Sequence, residues 1–170
     1  MNLKDYIREI PDFPKEGILY RDITPLLGNA EAFSVAIKRL SCFAIGLYPE
    51  VVAGIESRGF IVGAALALDL GLPFVPIRKD GKLPYKTRTQ TYDLEYGADR
   101  IQIHVDAFLP GQRVLLVDDL IATGGTAVAA SELIESLEGV VIGICALVEL
   151  SGLGAELKLG DRDVLGLIRC

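Results

Sequence analysis

An apolar run, Val114-Leu-Leu-Val, ends abruptly in Asp118-Asp119, and Thr123-Gly124-Gly125-Thr126 then opens a helix-forming stretch. No other segment restricts what the chain can fold into as tightly. The run reads as a strand buried on both faces. Two adjacent carboxylates cannot both enter a core, because an unpaired buried charge costs several kcal/mol. They belong at the open end of a sheet, where they can accept hydrogen bonds from sugar hydroxyls. The glycines let the backbone curl around a ligand, and their N–H groups join the unsatisfied donors of the first helical turn. That is an anion nest aided by the helix dipole, with the Thr123 and Thr126 hydroxyls as further donors. Carboxylates for hydroxyls followed by a nest for phosphate suit a ribose 5-phosphate. A turn that only caps a helix needs a single Thr or Asp, not this whole set.

The rest of the chain supplies a matching frame. Leu3–Glu9 predicts a short helix, and Pro11 and Pro14 open an irregular stretch running to Asn29. Glu31–Ile45 places Phe33, Ala36, Ile37, Leu40 and Ala44 at helical spacing. Strands are expected at Val51–Ile55, Pro73–Ile77, Val114–Val117 and Val140–Val148, with helices near Gly59–Leu70 and over Gly125–Leu137. Such alternation predicts an α/β fold, a parallel central sheet flanked by helices. Ligands in these sheets sit at the carboxyl ends of the strands, here the loops after Ile55, Ile77, Val117 and Val148. The segment Arg78–Arg100 interrupts the pattern and is too long for a passive loop. Its Thr87–Leu94 part could pair with Ile101–Val105 as a two-stranded ribbon.

At 170 residues the chain suits one domain. A net charge of −6 offers no basic surplus for a nucleic-acid backbone. The longest apolar stretch near Gly59–Leu68 falls far short of the ~20 residues that span a bilayer. Cys42, Cys145 and Cys170 form no C-x-x-C pair. Cys42 and Cys145 lie among apolar neighbours and read as small core residues, a pattern suited to a reducing cytosol. A soluble, cytoplasmic protein is expected.

Four charged groups fall on the expected open edge. Arg58, in Glu56-Ser57-Arg58-Gly59, can fork onto an anion where Gly59 admits a close backbone approach. Arg78, Lys79 and Lys82 end another strand and could neutralise a pyrophosphate. His104 alternates with Ile101 and Ile103 and should face solvent or a neighbouring subunit; one histidine cannot form a metal site. Gly152-Leu-Gly154 begins like a dinucleotide fingerprint, but the third Gly is missing and no crossover of the needed length is evident.

The segment Val114–Thr126 closely resembles the phosphoribosyl pyrophosphate (PRPP) signature of the type I phosphoribosyltransferases. Phe13–Leu27, Glu56–Phe60, Arg78–Pro84, Tyr92–Gly97 and Val148-Glu149-Leu150 resemble, in order, blocks of the adenine-specific members of that family. The resemblance implies a single domain over 1–170, with an N-terminal hood at 1–30 and a lid loop at 79–100. It implies transfer of a phosphoribosyl group from PRPP to adenine, giving AMP and pyrophosphate. Asp118 and Asp119 would then hold the ribose hydroxyls, and Ala122, Thr123, Gly124, Gly125 and Thr126 the 5′-phosphate. Arg58, Arg78, Lys79 and Lys82 would bind PRPP, Arg58 also acting in catalysis, while from the lid Glu95 lies near the purine and Tyr96 contributes to transfer. Leu19, Tyr20 and Arg21 would cover adenine on one face and Leu150 on the other. Family members more often carry Phe where Tyr20 stands, so the added hydroxyl needs a partner or solvent. Mg²⁺ arriving with PRPP, touched by Asp118 and Asp119 through water, is the implied cofactor, and a homodimer the implied assembly. Transfer to another base, and a PRPP-sensing regulator that binds nucleic acid, are the rival readings; the regulator would need a basic face.

Overall fold

The protein is described from a computed structural model covering residues 1–94 and 97–170. A seven-stranded sheet forms its centre, built from β3 (Val51–Ile55), β4 (Phe74–Lys79), β5 (Thr87–Leu94), β6 (Gly97–His104), β7 (Arg113–Ile121), β8 (Val140–Glu149) and β9 (Val164–Arg169). Their order across the sheet is β5-β6-β4-β3-β7-β8-β9. The five from β4 to β9 are parallel, and the β5–β6 hairpin adds antiparallel to β4. The expected parallel α/β sheet is therefore present.

Burial on both faces explains why β7 is apolar without alternation. Val114 and Leu116 face one hydrophobic cluster, with Leu133 and Ile134 of α4 (Gly125–Glu135). Leu115 and Val117 face the other, with Leu40 of α2 (Ala30–Ile45) and Leu66 of α3 (Gly59–Leu70). Each such side chain contributes roughly 1.5–3 kcal/mol on leaving water. Asn29 caps α2 by accepting the Ala32 N–H at 2.9 Å, which sets its start at the turn the sequence suggests.

Several local expectations are corrected. Leu3–Tyr6 is a 3₁₀ turn, and Arg8–Ile10 is not helical but a strand, β1. It pairs antiparallel with β2 (Tyr20–Asp22), inside the stretch read as irregular, which also holds the short helix α1 (Thr24–Leu27). Ion pairs Arg21–Glu9 at 2.7 Å and Arg8–Asp22 at 3.5 Å join the two strands, a partnership between distant residues that helical spacing conceals. β7 continues past Val117 because β8 keeps offering partners, Asp118 opposite Ala146 and Ile121 opposite Glu149. Cys42 is exposed on α2, not in the core, whereas Cys145 is fully buried. The ribbon exists, its second arm beginning at Gly97, and most of 79–100 is therefore sheet. A five-residue helix α5 (Ala155–Leu159) and β9 follow Gly154, too short a crossover for a dinucleotide fold.

Candidate active site

The carboxyl ends of β3, β4 and β7 bring Glu56 to Arg58, Arg78 to Lys79, and Asp118 to Thr126 to one edge of the sheet. Asp118 Oδ1 accepts the Asp119 N–H at 2.8 Å, which turns the two neighbouring carboxylates into a fixed pair. Burial, then the charge of Asp119, holds Asp118 well above the usual carboxylate range. Burial also raises Asp119, with Arg58 pulling the other way. Such a pair resists carrying two negative charges and invites hydroxyl donors or a cation.

The nest follows directly. Gly124 sits at φ 78°, a left-handed conformation that a side chain would strain. No side chain caps α4, so the first-turn N–H groups stay available for an anion. This removes the reading in which Thr123 is only a helix cap. A cavity of about 170 Å³ lies against the turn, lined by Asp118, Ile121 and Ala122 to Thr126.

Asp118 and Asp119 lie within β7 and are largely buried, not at an open strand end as expected, because β8 keeps pairing as far as Ile121. Arg58 stands between them and the N-terminal segment. Its Nη2 is 2.6 Å from Asp119 Oδ2, at an angle that leaves this oxygen without an aligned hydrogen bond. The other arm, Nη1, donates to the Tyr20 hydroxyl at 2.5 Å. That contact supplies the partner the extra hydroxyl needs.

Arg78 is engaged elsewhere. It forks onto Glu56 at 3.1 and 3.3 Å and donates to the Lys82 carbonyl at 3.1 Å. Burial works to raise Glu56, but the Arg78 hydrogen bond, the Lys79 N–H and the nearby positive charges outweigh it and lower its pKa. Meeting pyrophosphate would require Arg78 to release Glu56. Lys79 Nζ lies 3.5 Å from Asp99, and Lys82 is exposed on the turn that follows. Leu150 follows β8 and donates its N–H to Ile121 at 2.9 Å, which ties it to the end of β7. Leu19 is exposed, while the Arg21 side chain is largely covered and paired with Glu9. Glu95 and Tyr96 lie outside the described residues.

Two neighbours of the site were missed by sequence reasoning. Tyr92, on the hairpin, donates its hydroxyl to Asp99 at 3.4 Å. Its position inside the Tyr92–Gly97 block was a usable signal. Glu56 organises Arg78 and Lys79, a role that only their convergence from two strands reveals. His104 is half-buried, its ring edge-on to Tyr85 at 6.0 Å, rather than simply facing solvent. Among the described residues no three His, Cys, Asp or Glu groups converge as a metal cage.

The fold, the paired carboxylates of β7 and the uncapped helix start define a phosphoribosyltransferase of type I, and the profile of the phosphoribosyl transferase domain matches residues 27–163. The adenine phosphoribosyltransferase of Parvibaculum lavamentivorans is 54% identical over 170 residues, covering 100% of this chain and 97% of that one. That of Brevibacillus brevis is 50% identical over 169 residues, with 99% of each chain covered. Among solved structures, adenine phosphoribosyltransferase from Thermoanaerobacter pseudethanolicus superposes with a TM-score of 0.96 at 50% identity, covering 99% of this chain and 98% of that one. The Saccharomyces cerevisiae enzyme, solved with adenine and an imino-altritol bisphosphate, has a TM-score of 0.93 at 40% identity and covers 98% and 96%. The chain belongs to the adenine phosphoribosyltransferase family and is a pentosyltransferase.

Proposed function

We infer that the chain transfers the 5-phosphoribosyl group of PRPP to N9 of adenine, forming AMP and releasing pyrophosphate, as in purine salvage. The observation that carries this reading is the Asp118–Asp119 pair set just ahead of the uncapped start of α4. The new N9–C1 bond forms as the C1–oxygen bond to pyrophosphate breaks, and positive charge gathers on the ribose much as in glycoside cleavage. Catalysis then rests on positioning and on stabilising the leaving group.

In this scheme Asp118 and Asp119 accept hydrogen bonds from the ribose hydroxyls, and the backbone of Ala122 to Thr126 cradles the 5′-phosphate. Arg58, Lys79 and Lys82 face the pyrophosphate, joined by Arg78 when it leaves Glu56. Leu19 to Arg21 cover adenine and Leu150 supports its other face. Glu95 acts near the purine, Tyr96 contributes to transfer, and the segment that bears them in the sequence excludes water from the reacting centre.

The donor set fits Mg²⁺ held mainly by substrate oxygens and water. Two adjacent carboxylates present oxygen donors beside the cavity at the turn, and the described residues provide no all-protein cage. Bound there, the ion would neutralise charge developing on pyrophosphate. A homodimer is supported by Ile61 and Leu68, exposed seven residues apart on one face of α3. The cysteines and the lack, among the described residues, of a helix long and apolar enough to cross a membrane favour a cytoplasmic location.

The test follows pyrophosphate release from PRPP against adenine, hypoxanthine, guanine, xanthine and orotate. AMP from adenine alone, abolished by chelating Mg²⁺, is the expected result. Transfer to an oxo-purine or orotate at a comparable rate would overturn the base assignment, because a mismatched hydrogen-bonding edge should be strongly rejected.

A further inference from the structure

The Tyr20 hydroxyl makes one of the shortest polar contacts at this edge, and stacking on a base has no use for it. Arg58 is anchored at both tips of its fork, on Tyr20 through Nη1 at 2.5 Å and beside Asp119 through Nη2 at 2.6 Å. Its guanidinium carbon also stands 5.2 Å from the centroid of the Tyr20 ring, within cation–π range. Phe13 braces that ring edge-on, with centroids 5.2 Å apart and planes at 76°. Tyr20 belongs to β2 in the N-terminal segment, whereas Asp119 belongs to the central sheet. A single side chain, Arg58, thus connects the cover of the cleft to a carboxylate assigned to ribose.

We propose that Tyr20 is a positioning residue for PRPP: its hydroxyl holds the Arg58 guanidinium beside Asp119. A free Arg side chain samples many rotamers, and fixing it after the ligand arrives would weaken binding. With two anchors the cation is in place beforehand. The anchor on Tyr20 also transmits order from the N-terminal segment to the PRPP carboxylates. A Phe at this position retains the ring and its cation–π contact but removes the acceptor, so Arg58 keeps one anchor and loses its orientation. The inference rests on the reading of the cleft as a PRPP site.

A double-mutant cycle on the full chain separates this role from a general effect on folding or stacking. Dissociation constants for PRPP with Mg²⁺, without adenine, are measured by calorimetry for the unaltered protein, Tyr20→Phe, Arg58→Met and the double variant, with thermal melts as a check. Loss of a hydrogen bond to a charged group should weaken PRPP binding about tenfold when Arg58 is present and less than about twofold when it is not. If Arg58→Met does not fold, Arg58→Lys keeps the charge but cannot fork. Equal losses in both backgrounds, or no loss in either, overturn the positioning role. The unaltered protein, assayed alongside for AMP formation, tests the functional reading separately. An active protein with an additive cycle sinks only the role of Tyr20; a protein that binds no PRPP sinks both.

Discussion

Gly59 packs directly against Asp118: a Cβ on Gly59 would stand 2.8 Å from Asp118 Oδ1, 3.0 Å from its Cα and 3.2 Å from the Val117 carbonyl. The start of α3 and the Val117–Asp118 stretch of β7 are therefore in backbone contact, and this closeness sets the direction of the carboxylate. It also explains why Arg58, one residue earlier, reaches Asp119.

Gly59→Ala should displace Asp118, because two of the three opposing atoms are backbone and cannot swing aside. Overpacking of this kind costs typically 1–3 kcal/mol of stability. Misplacement of a positioning group by about 1 Å can lower kcat/KM by roughly 10²-fold. Steady-state kinetics with PRPP and a thermal melt check both. Unchanged kcat/KM would show that the orientation of Asp118 does not matter.

Replacing both Asp118 and Asp119 with Ala should cripple PRPP binding while the protein still folds. The single Asp118→Asn change should raise the melting temperature at neutral pH. The sign follows from proton linkage: the folded carboxyl lies above its unfolded value of about 3.9, so the folded state binds the proton more tightly. Stability contributed by the protonated group is present below that value and falls as pH rises through the folded one. Asp119→Asn should gain less, since it strands Arg58. Melts across pH with PRPP titrations settle this; retained PRPP affinity in the double variant would refute the carboxylate assignment.

Glu95→Ala should lower turnover more than it weakens PRPP binding, as expected for a group that acts near the purine in the transition state. Comparing kcat with a directly measured PRPP dissociation constant decides it. A loss confined to affinity would move Glu95 from the base to the PRPP side.

Asp69 offers a control away from the cleft. It bridges α3 to α2 through Lys38 Nζ at 2.5 Å and the Ser41 hydroxyl at 2.6 Å. These hydrogen bonds, Lys38 first, outweigh burial and lower its pKa. The stabilisation is therefore present above the unfolded value of about 3.9 and lost as pH falls through the lower folded one. Lys38 is largely exposed, so the pair contributes only ~0.5–1 kcal/mol. Asp69→Asn should melt lower than the unaltered protein at pH 7, converge with it only once the pH falls below the lowered folded value, and keep its kcat/KM. A gap that persists in acid would mean the carboxylate charge is not what holds the two helices.

What the amino-acid sequence determined was what is local. Continuous apolarity in Val114–Val117 specified a strand buried on both faces, and Asp118 to Thr126 spelled out two adjacent carboxylates and a glycine turn into a helix within a single strand-turn-helix. Every atom of that device comes from neighbouring residues, so its chemistry survives in one dimension. Tertiary structure decided what depends on distant partners. It made a strand of Arg8–Ile10, because β2 offers the hydrogen bonds that its own segment does not. The same long-range pairing carried β7 on to Ile121 and made most of the supposed lid loop an edge of the sheet. Cys42 turned out to face solvent because apolar neighbours in sequence do not say which side of a helix meets the core. Above all, folding brought Tyr20, Arg58 and Asp119 together, and placed Glu56 on Arg78. Those contacts join charges from separate strands whose approach depends on how the whole sheet packs.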